Sequence, residues 1–183
     1  MIGDPGVNRL VGNNGNDVLK GLNGADQLLG GGGDDWLYVD NLDTQAHGGT
    51  GIDRLIVVNG NGVTNAVGAK GIEIATGNAG NDTFDGTGAT ENLTLRGLAG
   101  DDALTGGSGD DFLFGGSGAD QLVGGIGLDR LFIDENDTVV DGGGGTEDRV
   151  IVQQLASAAT GVTVDMGASN VEVAFGNLKN DTF

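Results

Sequence analysis

Apolar residues return along this chain every nine positions, set between glycines and acids that keep the same interval. From Gly97 to Phe132 the chain reads as four lines, beginning at Gly97, Gly106, Gly115 and Gly124. Position 1 is Gly, position 4 Gly, position 6 Asp and position 8 Leu in all four. Each line offers a glycine-rich turn and then three residues of alternating character, enough for one short strand. That pattern predicts a solenoid whose thin core takes one side chain, position 8, per line, with a narrow sheet on each side.

The same frame runs from Gly3 to Ile56, with starts at Gly3, Gly12, Gly21, Gly30, Val39 and Gly48. Position 8 reads Leu10, Leu19, Leu28, Leu37, Ala46 and Leu55, and position 6 reads Asn8, Asp17, Asp26, Asp35, Thr44 and Asp53. The Val39 line loses its glycines and its position-6 acid, and reads as a terminating half-turn. From Val57 to Ala75 the frame dissolves into short alternating stretches, predicted as strands joined by turns. It returns at Gly77, and an 11-residue line from Gly86 to Arg96 follows, with Glu91 or Asn92 near the acid position.

The second block starts at Gly97 and ends on Ile133 and Gly142 lines that match the Val39 and Gly48 lines of the first. Val171 to Phe183 echoes Ile72 to Phe84, so a longer repeat overlies the nine-residue one. Two tandem modules are expected, residues 1–85 and 86–183, each a roll with a capping or linking segment (57–76 and 152–175). Both ends fall inside repeats, which points to a piece of a longer protein. The opening Met1-Ile2-Gly3-Asp4 lacks the basic and apolar run of a secretory leader.

Charge changes the picture. Gly supplies 39 of 183 residues, Pro 1, and 27 acids against 8 bases give a net charge of −19. Taken alone, glycine entropy and self-repulsion predict disorder. The periodic apolar residues predict packing once something neutralises the acids, and divalent cations are the simple candidate. No basic surface for nucleic acid and no membrane span is expected. With no Cys, disulfides and thiolate sites are excluded.

Gly at positions 1, 2 and 4 permits backbone with positive φ, which lets a turn aim several carbonyl oxygens inward. Position 6 adds a carboxylate where the turn closes. Hard oxygens, many of them carbonyls, suit Ca²⁺ with ~6–8 ligands, whereas Mg²⁺ wants near-ideal octahedral geometry. Two lines make one coil, so turns on one side stack about every 4.8 Å and an ion between two can draw on both.

The pattern G-G-x-G-x-D-x-U-x resembles the calcium-binding repeat of RTX proteins. The resemblance covers Gly3 to Ile56 and Gly77 to Ile151. It implies an all-β, right-handed parallel β-roll with several Ca²⁺ ions, each held by oxygens of positions 2, 4 and 6 of one turn and 1, 3 and 6 of the turn two lines on. Carried over, Asn13, Gly15 and Asp17 face Gly30, Gly32 and Asp35, and Gly31, Gly33 and Asp35 face Gly48, Thr50 and Asp53. Leu98, Gly100 and Asp102 face Gly115, Ser117 and Asp120. Gly107, Gly109 and Asp111 face Gly124, Ile126 and Asp129. The other consensus turns supply Leu22, Gly24 and Asp26, then Asn78, Gly80 and Asp82 against Gly97, Ala99 and Asp102. They also supply Gly116 and Gly118, and Gly125 and Gly127 against Gly142, Gly144 and Asp148. Asn8 weakens the first site, and in the Val39 and Ile133 lines Asp43 or Asp137 is left to substitute.

The family further implies a secreted bacterial module that leaves a Gram-negative cell through a type I channel and folds outside on calcium. Occupying about eight sites would add roughly +16 and nearly cancel the chain's charge. The alternative is a polysaccharide-binding or surface-layer module, in which the roll presents a face to a glycan or to copies of itself. No enzyme is expected, since His47 stands in a degenerate line without a nucleophile motif. Trp36, Tyr38, Phe112, Phe114 and Phe132 fall at outward positions 7 and 9. Arg54, Arg130 and Arg149 recur at position 7, where pairing with neighbouring acids is expected.

Overall fold

A computed structural model describes residues 1–43, 45–145, 147–153, 171 and 173–175. Thr44, most of the 152–175 segment and nearly all of the Val171–Phe183 echo therefore lie outside the described residues. Every named strand pairing is parallel, and the strands wind as a β-solenoid of about eight turns, a β-roll.

One side of the roll is a single nine-stranded sheet. Its strands are β2 (Val18–Lys20), β4 (Trp36–Val39), β6 (Arg54–Val57), β8 (Ile74–Thr76), β10 (Thr94–Ala99), β12 (Phe112–Ser117), β14 (Arg130–Ile133), β16 (Arg149–Val152) and β17 (Val173–Phe175). The other side is split in two. β1 (Arg9–Asn14), β3 (Gln27–Gly32) and β5 (Gln45–Thr50) form a three-stranded sheet. β7 (Thr64–Asn65), β9 (Thr83–Asp85), β11 (Ala103–Thr105), β13 (Gln121–Gly127) and β15 (Val139–Gly145) form a five-stranded one. The nine-stranded sheet passes from β6 through β8 to β10 without a break, across residues 85–96.

Register shows where the chain absorbs irregularity. Regular coils pair residues 18 apart, as in Leu28 with Leu10 and Leu113 with Leu131. At the middle of the chain the offset grows to 20, with Leu55 on Ala75 and Ala75 on Leu95. The extra residues enter turns and leave the strands in phase, because a one-residue slip in a strand would turn its core side chain to solvent.

The core is the predicted single file. Leu19, Leu28, Leu37, Leu55, Leu95, Leu113, Leu122 and Leu131 are wholly buried, with Ala46, Ala75 and Phe84 at the same position in their lines. Burying such a leucine stabilises by roughly 1.5–3 kcal/mol, so the file is the main apolar contribution to the roll. The frame that dissolves at Val57 resumes earlier than its sequence suggests. Gly68 to Thr76 is one further line, with a 3₁₀ turn at Gly68–Lys70 and Ala75 at position 8.

Candidate metal centre

Position-6 acids stack into two ladders along the two edges of the roll. Asp17 N–H donates to Asp35 Oδ1 and Asp35 N–H to Asp53 Oδ1, both at 2.8 Å. On the same edge Asp111 N–H donates to Asp129 Oδ1 at 2.8 Å and Asp129 N–H to Asp148 Oδ1 at 2.9 Å. On the other edge the steps are Asp82 to Asp102 at 2.7 Å and Asp102 to Asp120 at 2.8 Å. One carboxylate oxygen of each acid is thus committed to the backbone of the previous turn. A shorter ladder at position 5 runs the opposite way: Asn16 Oδ1 accepts from Asp34 N–H, and Asp34 Oδ1 from Ile52 N–H, both at 2.9 Å.

The second oxygen explains the invariant glycine at position 1. A Cβ on Gly12 would lie 2.6 Å from Asp17 Oδ2, and one on Gly124 would lie 2.5 Å from Asp129 Oδ2. The position-1 carbonyls of the next turn, Gly30 and Gly142, crowd the same points. Position 1 is therefore glycine for space, contrary to the expectation of positive φ there. Positive φ belongs to positions 2 and 4, as in Asn13 (75°) and Gly15 (106°), Leu98 (82°) and Gly100 (113°), and Gly125 (112°) and Gly127 (140°). Leu22 and Leu98 hold this conformation without being glycine, at a cost of roughly 1–2 kcal/mol each.

Two kinds of turn result. Where position 2 is left-handed, Oδ2 of Asp26, Asp35, Asp53, Asp102, Asp120 and Asp129 is buried with no hydrogen-bond partner. Beside Asp35, Asp102 and Asp129 the position-1 carbonyl of the turn two lines on (Gly48, Gly115 or Gly142) approaches the same glycine as Oδ2. In the turns of Asp82 and Asp111, Oδ2 instead accepts the position-2 N–H of Asn78 (2.8 Å) or Gly107 (2.6 Å). The turns stacked before these two carry no position-6 acid. Val63 N–H donates to Asp82 Oδ1 and Leu93 N–H to Asp111 Oδ1, so Val63 and Leu93, both buried, occupy the ladder position. Leu93 stands where Glu91 or Asn92 was expected.

Three acids enter the ladders from lines that do not spell the motif. Asp43 accepts from Asp26 N–H (2.7 Å) and Asp40 N–H (2.9 Å), and Asp137 from Asp120 N–H (3.1 Å) and Asp134 N–H (2.9 Å). Both lines keep nine residues, but their acid stands at position 5 and takes the ladder role that position 6 has elsewhere. Glu73 was not anticipated: its Oε2 accepts Asp53 N–H at 2.8 Å. The signal was present in Gly68-Ala-Lys-Gly-Ile-Glu-Ile-Ala-Thr76, a line with Glu for Asp.

Burial raises several of the ladder carboxyls, reinforced by their neighbours. Asp102 and Asp129 are pushed up to about 7 and Asp53 to about 6, with desolvation the largest cause. Asp137, buried against Asp120 and Asp134, rises to about 8. Such groups call for a proton or a cation.

A cation fits this donor set. Unpartnered carboxylate oxygens converge with backbone carbonyls, and the glycines leave the space open. Among the described residues no three acidic, histidine or cysteine side chains cluster, so most ligands must be carbonyls. That suits Ca²⁺ better than a transition metal. Asn8 contributes no charge; its amide oxygen accepts Asp4 N–H at 2.9 Å and so holds its own turn.

Fold and donor chemistry together define a calcium-binding β-roll module. The family model of the RTX calcium-binding nonapeptide repeat, in four copies, matches residues 2–37, 67–90 and 94–131. The chain belongs to that family, and its repeats make it a Ca²⁺-binding repeat module. A search of the curated proteins finds no match.

Proposed function

We propose that this chain is a calcium-responsive module of a larger secreted protein, little ordered where calcium is scarce and folded where it is abundant. The observation that carries the reading is the row of buried, unpartnered Oδ2 atoms, which cost free energy while they remain ionised and uncompensated. Ions between stacked turns would be held by position-2 and position-4 carbonyls with the Asp of one turn, and by position-1 and position-3 carbonyls with the Asp of the next. The best supported pairs join Asp17 to Asp35, Asp35 to Asp53, Asp102 to Asp120 and Asp129 to Asp148. Bound there, Ca²⁺ supplies positive charge that offsets the ladder's mutual repulsion.

Extracellular calcium modules bind with Kd of ~10⁻⁴–10⁻³ M, well above cytosolic calcium. A site held at ten times its Kd stabilises the folded state by about 1.4 kcal/mol, and several sites sum. That coupling suits export of an unfolded chain from a Gram-negative cell by a type I route, followed by folding outside. The two-module division at residues 85–86 belongs to the same proposal, with calcium sites on either side of a junction sealed by Val63 and Leu93.

Far-ultraviolet circular dichroism during a calcium titration of the stripped chain tests it, with magnesium as control. A cooperative gain of β signal at sub-millimolar to millimolar calcium, absent with magnesium, is expected. A chain fully β-structured in chelator and unchanged by calcium would reject the folding switch.

A further inference from the structure

None of the nine strands of the continuous sheet contains an Asp or Glu, in a chain with 27 of them. Five of the chain's eight cations, Lys20, Arg54, Arg96, Arg130 and Arg149, stand on that sheet's outer face. They fall on β2, β6, β10, β14 and β16, so from β2 to β14 every second strand carries one. With strands about 4.8 Å apart, the cations recur about every 10 Å along the roll.

Acids among the described residues pair with only one of them. Among the described residues the face has one ion pair, Arg149 with Glu147 at 4.0 Å, between largely exposed groups. The others lie over rings: Arg54 is 5.1 Å from the Trp36 centroid, Arg96 4.3 Å from Phe114 and Arg130 4.9 Å from Phe112. Phe114 and Phe132 stack at 4.2 Å. Ring contact restrains the guanidinium groups, as in the Arg96–Phe114–Phe132 column on successive strands, which lowers the entropy lost when a ligand binds.

The strip's width limits the ligand. Three strand residues span roughly 10 Å, and acid-bearing turns form the rim on both sides. A nucleic-acid duplex or a membrane plane is wider and meets those rims. A single-stranded nucleic acid carries a charge on every nucleotide, denser than one cation per two strands. An extended sugar chain with carboxylates on alternate units matches both width and period, brings ring faces for the aromatics, and offers arginine a bidentate partner.

We propose that the outer face of the nine-stranded sheet binds an extended acidic polysaccharide laid along the roll axis. Its carboxylates lie on Arg54, Arg96 and Arg130, and its sugar rings on Trp36 and on the edges of the stacked Phe114–Phe132 pair. The inference needs the sheet and does not rest on calcium-driven folding.

The test is titration calorimetry of the calcium-loaded chain with hyaluronan oligosaccharides, which carry a carboxylate on alternate sugars. Comparators are a neutral β-glucan oligosaccharide, single-stranded DNA and phosphatidylserine vesicles. Circular dichroism of the same samples establishes that each protein is folded. Expected are binding of the uronate oligosaccharide that weakens with added salt, and a loss of roughly tenfold or more in the R54Q/R130Q double variant. Trp36→Ala should also weaken binding while leaving its salt dependence unchanged. Equal affinity in the folded double variant overturns the proposal. So do no binding, equal binding of the neutral glucan, or tighter binding of DNA or vesicles. Sedimentation showing a dimer that the double variant dissociates would assign the face to a second copy instead.

Discussion

Two turns on one edge of the roll, Gly124–Asp129 and Gly86–Leu93, solve the same packing problem with opposite chemistry. Each begins with a glycine whose missing Cβ leaves a small space. In the first it is filled by Asp129 Oδ2, in the second by the Leu93 Cδ1 methyl. Strands β10 and β14 leave the two turns in the same sheet. The methyl needs nothing more, whereas the buried carboxylate oxygen needs a proton or a cation. The roll's geometry therefore does not require calcium at every turn. Where acids occupy the ladder, the turns make folding conditional on what neutralises them.

The largest effect should come from filling that space. Gly124→Ala places a methyl 2.5 Å from Asp129 Oδ2 and closer still to the Gly142 carbonyl, both held by the stack. A loss of roughly 2–4 kcal/mol is expected in calcium, read by denaturant unfolding. Gly15→Ala is the contrast: nothing lies within 4 Å of its Cβ, and only its φ of 106° resists. About 1 kcal/mol is expected there. Equal losses would mean that the space over position 1 is not what selects glycine.

Replacing the carboxylates themselves separates the two kinds of turn. Asp111 uses both oxygens on backbone donors, Leu93 N–H and Gly107 N–H, each at 2.6 Å. Asp111→Asn turns an amide N–H₂ onto one of those donors and should cost about 1–3 kcal/mol with or without calcium. Asp129→Asn keeps the acceptor for Asp111 N–H and removes a charge with no partner of its own. In chelator at pH 8 it should be neutral or stabilising; in calcium it should lose part of the metal's contribution. The β signal of both variants in chelator and their unfolding midpoints in calcium decide. A calcium-independent loss at Asp129 would contradict the distinction.

Acidity should act in the same sense as calcium, and more weakly. Asp102 and Asp129 titrate near 7 and Asp53 near 6 when folded, against an ordinary value of 3.8. A raised folded value means the folded state holds its protons more tightly. The stabilisation is fully present below about pH 4 and is lost as pH rises through 6 to 7. The metal-free chain should thus show more β signal at pH 5 than at pH 8, with the difference flattened by saturating calcium. A β signal that rises with pH in chelator would refute the assignment.

Much of this was readable because the nine-residue period fixes the strand, the core position and the acid together. The single-file leucine core follows from position 8 alone. What escaped is three-dimensional. The steric role of Gly at position 1 depends on the Asp carboxylate folding back over its own turn, which no spacing states. Leu93 displaced Glu91 and Asn92 because two extra residues shift the frame inside an irregular turn. The cationic face was hidden by composition: five positive charges vanish in a net charge of −19 until the strands set them on one side. Of the arginines expected to pair with acids, Arg149 pairs with Glu147, whereas Arg54 and Arg130 lie on rings.

The finest test concerns Glu73, which stands between the two kinds of turn. It takes the ladder role of an aspartate, accepting Asp53 N–H at 2.8 Å, although its line carries a 3₁₀ turn. Asp53 above it is wholly buried, and its Oδ2 has no partner. The Gly71 carbonyl crowds Gly48 as a position-1 carbonyl does elsewhere. If the junction is sealed only at Val63 and Leu93, Glu73 still belongs to a calcium-dependent turn. Glu73→Gln keeps an acceptor for Asp53 N–H and removes only charge, so the β signal in chelator should be unchanged. Calcium should then protect the Asp53 amide less well, by a few-fold in hydrogen exchange, while the Asp129 amide is unaffected. Equal protection of Asp53 in both proteins would place Glu73 with the sealed turns, as a hydrogen-bonding substitute and no more.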